Sequence, residues 1–443
     1  MLPPRPRRRR ILGLAVPIIG GMISQNLLNL VDTAFVSQLG DLALAAVGIA
    51  NFVHFVSIAF ITGLAAGVQA TAARRKGEGR DDETAVPLNG GLLLAVGFGI
   101  PIALVVWELA PWLLPTLAND DAEVGRVGAA YLQLRLLAAP AVGMNFAFRG
   151  FWNAVDLSRI YLRTIVVMHL INAVLDYGLI FGAFGLPEMG VEGAALASTI
   201  ATTTGALLYS AQGWARAREA GFLRGVPSAR VMASMLRTSL PAGLQTFFFA
   251  AGMTVFFSIV ARLGRAELAA SNVLINLLLV AVLPALGFGL AAASLVGQGL
   301  GARDVSGARR WGWDVVRTAV PLVALITVPG LVLPDLVLGV FLHDPDTLAL
   351  ARAPLRLLAV TLPIDAVGTV LMNALLGSGD SRRVLIVATS LQWLLFLPLA
   401  WLVGPVLGWG LFAVFCAQGL YRLVQTGVFA GIWTGSAWAR VEV

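Results

Sequence analysis

One cysteine, one lysine and three histidines are all that this 443-residue chain offers to the commonest site chemistries. Cys416 stands alone inside the last apolar run, so no internal disulfide can form, and packing is its expected role. No His/Cys pattern has zinc spacing. A Walker A loop ends in Gly-Lys-Ser or Gly-Lys-Thr, whereas Lys76 follows Arg75 and precedes Gly77, which excludes a P-loop ATPase. A Gly-x-Ser-x-Gly nucleophile elbow is missing too. The chain is therefore not expected to be an enzyme or to carry a resident cofactor. Charge is also scarce, at 12% of residues against about 25% in soluble domains.

What replaces charge is apolar surface. Hydrophobic residues make up 58% of the chain and the mean hydropathy is +0.84. A membrane span needs about 20 mainly apolar residues, and such runs recur along the whole length at 11 to 38, 43 to 73, 85 to 110, 123 to 149, 160 to 183, 190 to 214, 230 to 262, 267 to 300, 309 to 334, 347 to 376, 384 to 404 and 407 to 433. The expected fold class is an all-α integral membrane protein with twelve transmembrane helices. Arg5 and Arg7 to Arg10 precede the first run as in a signal peptide, but that run is too long and has no small-residue cleavage pattern. It reads as an uncleaved helix.

The formal charge of +7 and pI near 10.4 do not point to nucleic acid, because the arginines sit at the ends of apolar runs and no basic stretch is interleaved with aromatics. Their order obeys the positive-inside rule. With the N-terminus in the cytoplasm, Arg74, Arg75, Lys76, Arg80, Arg159, Arg163, Arg216, Arg218, Arg224, Arg230, Arg303, Arg309, Arg310, Arg382, Arg383 and Arg440 all fall inside. Asp41, Asp120, Asp121, Glu123, Glu188, Asp335, Asp344 and Asp346 fall outside, and only Arg262 and Arg265 break the pattern. Both termini are thus expected in the cytoplasm.

The longest polar connection, Arg216 to Arg230, lies at the midpoint and suggests two lobes, 1–220 and 221–443. A shift of 224 positions aligns Pro17 with Pro241, Leu39-Gly40 with Leu263-Gly264, Ala45-Ala46 with Ala269-Ala270, Gly63 with Gly287 and Gly77 with Gly301. A shift of 221 pairs Leu134-Arg135-Leu136-Leu137-Ala138 with Leu355-Arg356-Leu357-Leu358-Ala359. Two pseudo-symmetric six-helix bundles follow, and because six is even the repeat is parallel. The match fails at two informative places: Asp32 aligns with Phe256 and Asp176 with Leu399.

Asp32 lies in an otherwise apolar run, where an ionisable group costs at least about 2.5 to 3.5 kcal/mol and usually marks an ion or substrate path. Gln25, Asn29 and Asp32 share one helical face, as do His169, Asn172 and Asp176 in the fifth run. At 1.5 Å per residue the two aspartates reach similar depth. Together with Asn172 they could hold a proton or a sodium ion; a purely structural network is the competing reading. Gln25, Asn29 and His169 are supporting candidates. Asp365, just after Pro363, is a third carboxylate at depth, and either a second protonation site, a contact for a cationic substrate or a plain helix–helix hydrogen bond would account for it. His54 with Asn51 is a weaker candidate for proton transfer.

Pro17, Asn29-Leu30-Val31-Asp32-Thr33, Leu39-Gly40 and Leu44-Ala45-Ala46-Val47-Gly48 resemble the first-helix region of multidrug and toxic compound extrusion (MATE) transporters. Asn172-Ala173-Val174-Leu175-Asp176 followed by Gly190-Val191-Glu192-Gly193-Ala194-Ala195-Leu196-Ala197 resembles their fifth and sixth spans, and aspartate at both positions is most similar to the DinF branch. The resemblance implies an inner-membrane antiporter, monomeric in membrane lipid, that exports small organic, often cationic or amphipathic compounds while protons or sodium ions enter. Asp32, Asn172 and Asp176 match that branch's cation site and would be the metal ligands if the ion is Na⁺. Asp365 matches an acidic residue of another branch whose span-seven glutamate has no counterpart here, since Phe249 or a neighbour stands in its place. The alternative is a lipid-linked precursor flippase of the same superfamily, which would be expected to hold an anionic headgroup with central basic residues.

Overall fold

Inside a bilayer no water bonds the backbone, so apolar runs of this length satisfy their N–H and C=O groups by forming helices. The computed structural model describes residues 2–118 and 121–441, and Asp120 lies outside them. Among the described residues there are helices and turns but no strand. In chain order the helices are α1 (Arg5–Ser37), α2 (Asp41–Thr62), α3 (Leu64–Gly77), α4 (Val86–Leu117), α5 (Ala122–Leu136), α6 (Ala139–Ala154), α7 (Ser158–Phe181) and α8 (Gly190–Arg216). After an irregular connection come α9 (Ala229–Ala261), α10 (Arg265–Gly301), α11 (Val305–Val332), the short α12 (Pro334–Gly339) and α13 (Pro345–Ser378). The chain ends with α14 (Ser381–Ser390), α15 (Leu397–Trp401) and α16 (Gly410–Thr434).

Helices α2 and α3 run on from one another, as do α14 and α15 through π-helical turns at Leu391–Phe396 and Leu402–Val406, while α5 and α6 form one span bent by 50° ahead of Pro140. Twelve long helical segments result, and the protein is a multi-pass membrane protein. Among the described residues nine helices are long and apolar enough to cross a bilayer, and the bent pair makes a tenth. The remaining two, α8 and α16, are 27 and 25 residues long but dilute their apolar faces with Thr202, Thr203 and Thr204 or with Gln418, Arg422 and Gln425. Cys416, expected in the packing core, is instead exposed on α16.

The repeat is visible in local geometry. Leu39-Gly40 and Leu263-Gly264 both join two helices, with glycine at φ 96° and 154°, values a side chain resists. Packing divides the chain into Gly20–Gly243 and a second unit made of Met1–Ile19 with Leu244–Val443. That division falls inside α1 and α9 rather than in the connection that suggested 1–220 and 221–443. The two breaks are 224 residues apart and each follows Pro17 or Pro241 by two residues, where the missing N–H loosens the helix. In the first unit a Cβ on Gly63 would lie 2.3 Å from the Ser239 carbonyl of α9. In the second, a Cβ on Gly287 would lie 2.3 Å from Ile19 Cγ1 of α1. Each unit thus seats a segment from the other half of the sequence at the same repeat position.

Some charges at helix ends do more than set topology. Arg7 pairs with Asp314 at 2.8 Å and lies 3.9 Å over the Trp311 ring, while Arg10 donates to Gln298, so the arginine cluster binds the start of α1 to α10 and α11. Arg262, one of the two that break the positive-inside pattern, lies 4.6 Å over Trp401. A ring face stabilises a cation there.

Candidate cation site

Two polar stripes predicted on separate helices need each other, because a buried polar group left unpaired costs about 1–3 kcal/mol. Within the Gly20–Gly243 unit they meet. Ser24 donates to His169 Nδ1 at 2.7 Å, and His169 Nε2 donates to Gln25 Oε1 at 3.2 Å, which assigns the ring its Nε2–H tautomer. Gln25 Nε2 in turn donates to Asn29 Oδ1 at 3.2 Å. One turn further on, Asn172 Nδ2 donates to Asp32 Oδ1 at 3.5 Å and to Asp176 Oδ2. The two carboxyl groups are also within hydrogen-bonding reach of one another.

The six expected site residues other than Asp365 therefore form one seam between α1 and α7. Asp176, Asn172 and His169 are buried at 1%, 4% and 5% exposure, whereas Asp32 is half-buried and Asn29 exposed. Asp176 Oδ1 is buried with no protein partner, an acceptor left open at the centre of the site. Asp176 is thus the inner carboxylate and Asp32 the one that can be reached. Two carboxylates this close in an apolar site cannot both stay ionised without a cation between them. The seam can hold one proton, bonded at both ends, or one small cation. His54 lies apart from this seam: it is buried with Nδ1 unpartnered, and Asn51 accepts from Tyr131 at 3.1 Å instead.

Two arginines lie inside apolar spans rather than at their ends, Arg135 and Arg422. Arg135, near the end of α5, acts electrostatically on Asp32, Asp176, His54 and Tyr131. Its signal in the sequence is its place, 13 residues into an apolar run that starts outside. Arg422, midway along α16, lies 3.6 Å from Asp365, so the partner of Asp365 comes from another helix and not from Thr361 or Thr369 beside it. The Thr361 hydroxyl is occupied within α13, donating to the Leu357 carbonyl at 3.0 Å.

In the second unit the repeat position of Asp32 is entirely different. Phe256 is fully buried among Phe257, Phe396 and Phe415, with ring centroids 5.5 to 6.2 Å apart, and Leu399 packs against the same cluster. The equivalent of the polar seam is an aromatic core.

A twelve-helix fold with a sequence repeat and an intramembrane carboxylate pair in one half defines a polytopic membrane protein of the transporter type. The chain belongs to the MatE family, whose model matches residues 17–178 and again 241–402, two segments offset by the same 224 positions as the repeat. It is 31% identical to the probable multidrug resistance protein NorM of Pseudomonas putida, over 92% of this chain and 90% of that one. It is also 30% identical to the multidrug resistance protein NorM of Burkholderia vietnamiensis, over 86% and 83%. Among solved structures, an outward-facing multidrug resistance MATE family transporter of the MOP superfamily superimposes with a TM-score of 0.88 at 22% identity, covering 97% and 95% of the chains. A MOP superfamily transporter from Pyrococcus furiosus gives 0.87 at 23%, covering 98% and 97%.

Proposed function

We propose that the protein is a secondary active efflux antiporter of the cell inner membrane, with both termini cytoplasmic, that exports small organic compounds by alternating access in exchange for an inward cation. The observation that carries this reading is the Asp32–Asn172–Asp176 cluster, a costly intramembrane site with an unpartnered acceptor, in a family whose relatives carry the multidrug resistance name. The coupling ion we assign is the proton. Asn172 turns its N–H₂ group on both carboxylates, a donor arrangement that favours a shared proton over a sodium ion, which an amide oxygen would help to hold. Cation and substrate then compete through linkage, each shifting the conformational equilibrium that the other prefers.

The lipid-linked flippase alternative needs basic residues free for an anionic headgroup. Arg422, the arginine midway along α16, is instead paired with Asp365, which speaks against it.

The test is transport of ethidium in proteoliposomes with pH and sodium gradients imposed separately. A pH gradient alone is expected to drive transport, and Asp32→Asn and Asp176→Asn each to lower it at least about tenfold, the loss expected when about 1.4 kcal/mol of coupling disappears. Full gradient-driven transport in both variants would refute the site. Dependence on sodium alone would refute the proton assignment.

A further inference from the structure

Asp365 is buried at 7% exposure in the middle of α13, and its surroundings differ from those of the Asp32–Asp176 pair. A carboxylate at this depth must be balanced by a charge, and there are two ways to supply one: a cation taken from solution, or a cation built into the chain. Here the chain supplies it. Arg422 Nη1 lies 3.6 Å from Asp365 Oδ1 and 3.2 Å from Gln425 Oε1, to which it donates. The guanidinium is 5.2 Å from the Tyr421 ring centre and 6.0 Å from that of Phe249. Gln425 is held in turn by donating to the Tyr421 hydroxyl at 3.1 Å, and Tyr421 stacks on Phe396 at 5.3 Å. The arginine is therefore located by a carboxylate, an amide and two ring faces, and the aromatic core anchors the residues that locate it.

Arg422 and Tyr421, both from α16, are the charged and titratable groups that act on Asp365, and α10 and α11, which also pack on α13, contribute none among the described residues. A guanidinium does not lose its proton in proteins, so the charge opposite Asp365 is constant over any physiological pH. Being covalently attached, it competes at an effective concentration far above that of ions in solution.

We propose that Arg422 is a tethered counter-cation that permanently occupies Asp365, so that the bundle containing Asp365 exchanges no cation and the ion stoichiometry of the protein is set by Asp32 and Asp176 alone. Arg422 is then the residue that specifies how many ions are exchanged. Removing it would turn Asp365 into a second exchangeable site. The proposal rests on the coupled-exchange reading only for its consequence in transport; occupancy of Asp365 can be tested without it.

The experiment counts cations bound by purified full-length protein, as protons taken up between pH 8 and pH 5 and as ²²Na⁺ bound at saturation. Arg422→Gln is expected to gain one proton or one sodium ion per chain, because its Asp365 must recruit a replacement. The double variant Asp365→Asn with Arg422→Gln removes both charges together, leaves no unpaired ion behind, and is expected to match the unmodified protein. A double variant that binds one cation fewer would overturn the proposal, as would a folded Arg422→Gln that gains none. Where Arg422→Gln does not fold, the double variant decides by itself. Asp32→Asn serves as a control expected to lose one cation; if it loses none, the coupling reading fails while the assignment of Arg422 is judged separately. In proteoliposomes the same variants predict that Arg422→Gln raises the ion-to-ethidium ratio by one and that the double variant leaves it unchanged.

Discussion

At the residue scale the acidic side chains divide by what answers them. Asp304 and Asp344 lie in connections and cap α11 and α13. The Gly307 N–H and the Ser306 hydroxyl, both 2.8 Å from Asp304 Oδ1, hold that carboxyl below the usual carboxylate range. The Thr347 hydroxyl at 2.5 Å and its N–H at 2.9 Å do the same for Asp344. A carboxylate whose folded pKa is depressed contributes stability that is fully present above its unfolded value of about 3.9 and is lost as pH falls through the folded one. Asp304→Ala and Asp344→Ala are therefore expected to lower the unfolding temperature in detergent at pH 7, and the difference from the unmodified protein should shrink below about pH 4. A difference that persists at pH 3 would mean that the loss was not electrostatic. At Asp32 and Asp365 the answering groups come from other helices, and at Asp176 from mid-helix Asn172 of α7, which is why the capping rules say nothing about them.

At the element scale the helices are held by close approach as much as by apolar area. Helix α13 packs on α10 where a Cβ added to Gly377 would lie 2.3 Å from the Ala293 carbonyl oxygen and 2.4 Å from its Cα. Backbone cannot move aside as a flexible side chain can, so Gly377→Val should destabilise by more than about 3 kcal/mol, in the range of severe overpacking. Little monodisperse protein is expected in size-exclusion chromatography. Gly427 in α16 has no atom within 4 Å of the same added Cβ. There Gly427→Ala should instead stabilise by roughly 0.5–1 kcal/mol through helix propensity, seen as a raised unfolding temperature. If both variants behaved alike, glycine in these helices would be a matter of propensity rather than contact. The π-helical turns at Leu391–Phe396 bring Gln392 and Trp393 to the Phe249 and Phe248 carbonyls of α9 at 3.2 Å each. Such turns re-aim side chains that a regular helix would present elsewhere, so neither contact could be read from spacing.

For the whole molecule the repeat and the packing units do not coincide. Residues Met1–Ile19 belong with Leu244–Val443, and the part of α9 up to Gly243 belongs with the first unit. A chain cut in the irregular connection, between Gly221 and Pro227, is expected to give two fragments that accumulate as folded protein only when expressed together. Each fragment alone lacks a segment that its own unit packs around, including the contact of Gly63 with Ser239 in one case and of Gly287 with Ile19 in the other. Protease resistance of the fragments expressed singly and jointly measures this; equal resistance would show that the six-helix halves fold independently.

Class, span count and repeat were legible in the chain because each rests on a one-dimensional quantity: hydropathy over about 20 residues, alternation of arginine-bearing loops, and a constant shift of 224 that carries prolines and glycines. The α1 and α7 stripes were legible because helical periodicity places Gln25, Asn29 and Asp32, and His169, Asn172 and Asp176, on single faces whatever the fold. Which stripe faces which was another matter. That Asn172 bridges the two aspartates, that Arg422 rather than a threonine of its own helix answers Asp365, and that Phe256 fills the repeat position of Asp32 with an aromatic core were all decided by tertiary structure. Periodicity assigns a residue to a face of its own helix, but charge pairing across helices depends on the rotation and register of two rods, and only packing of the whole bundle determines those.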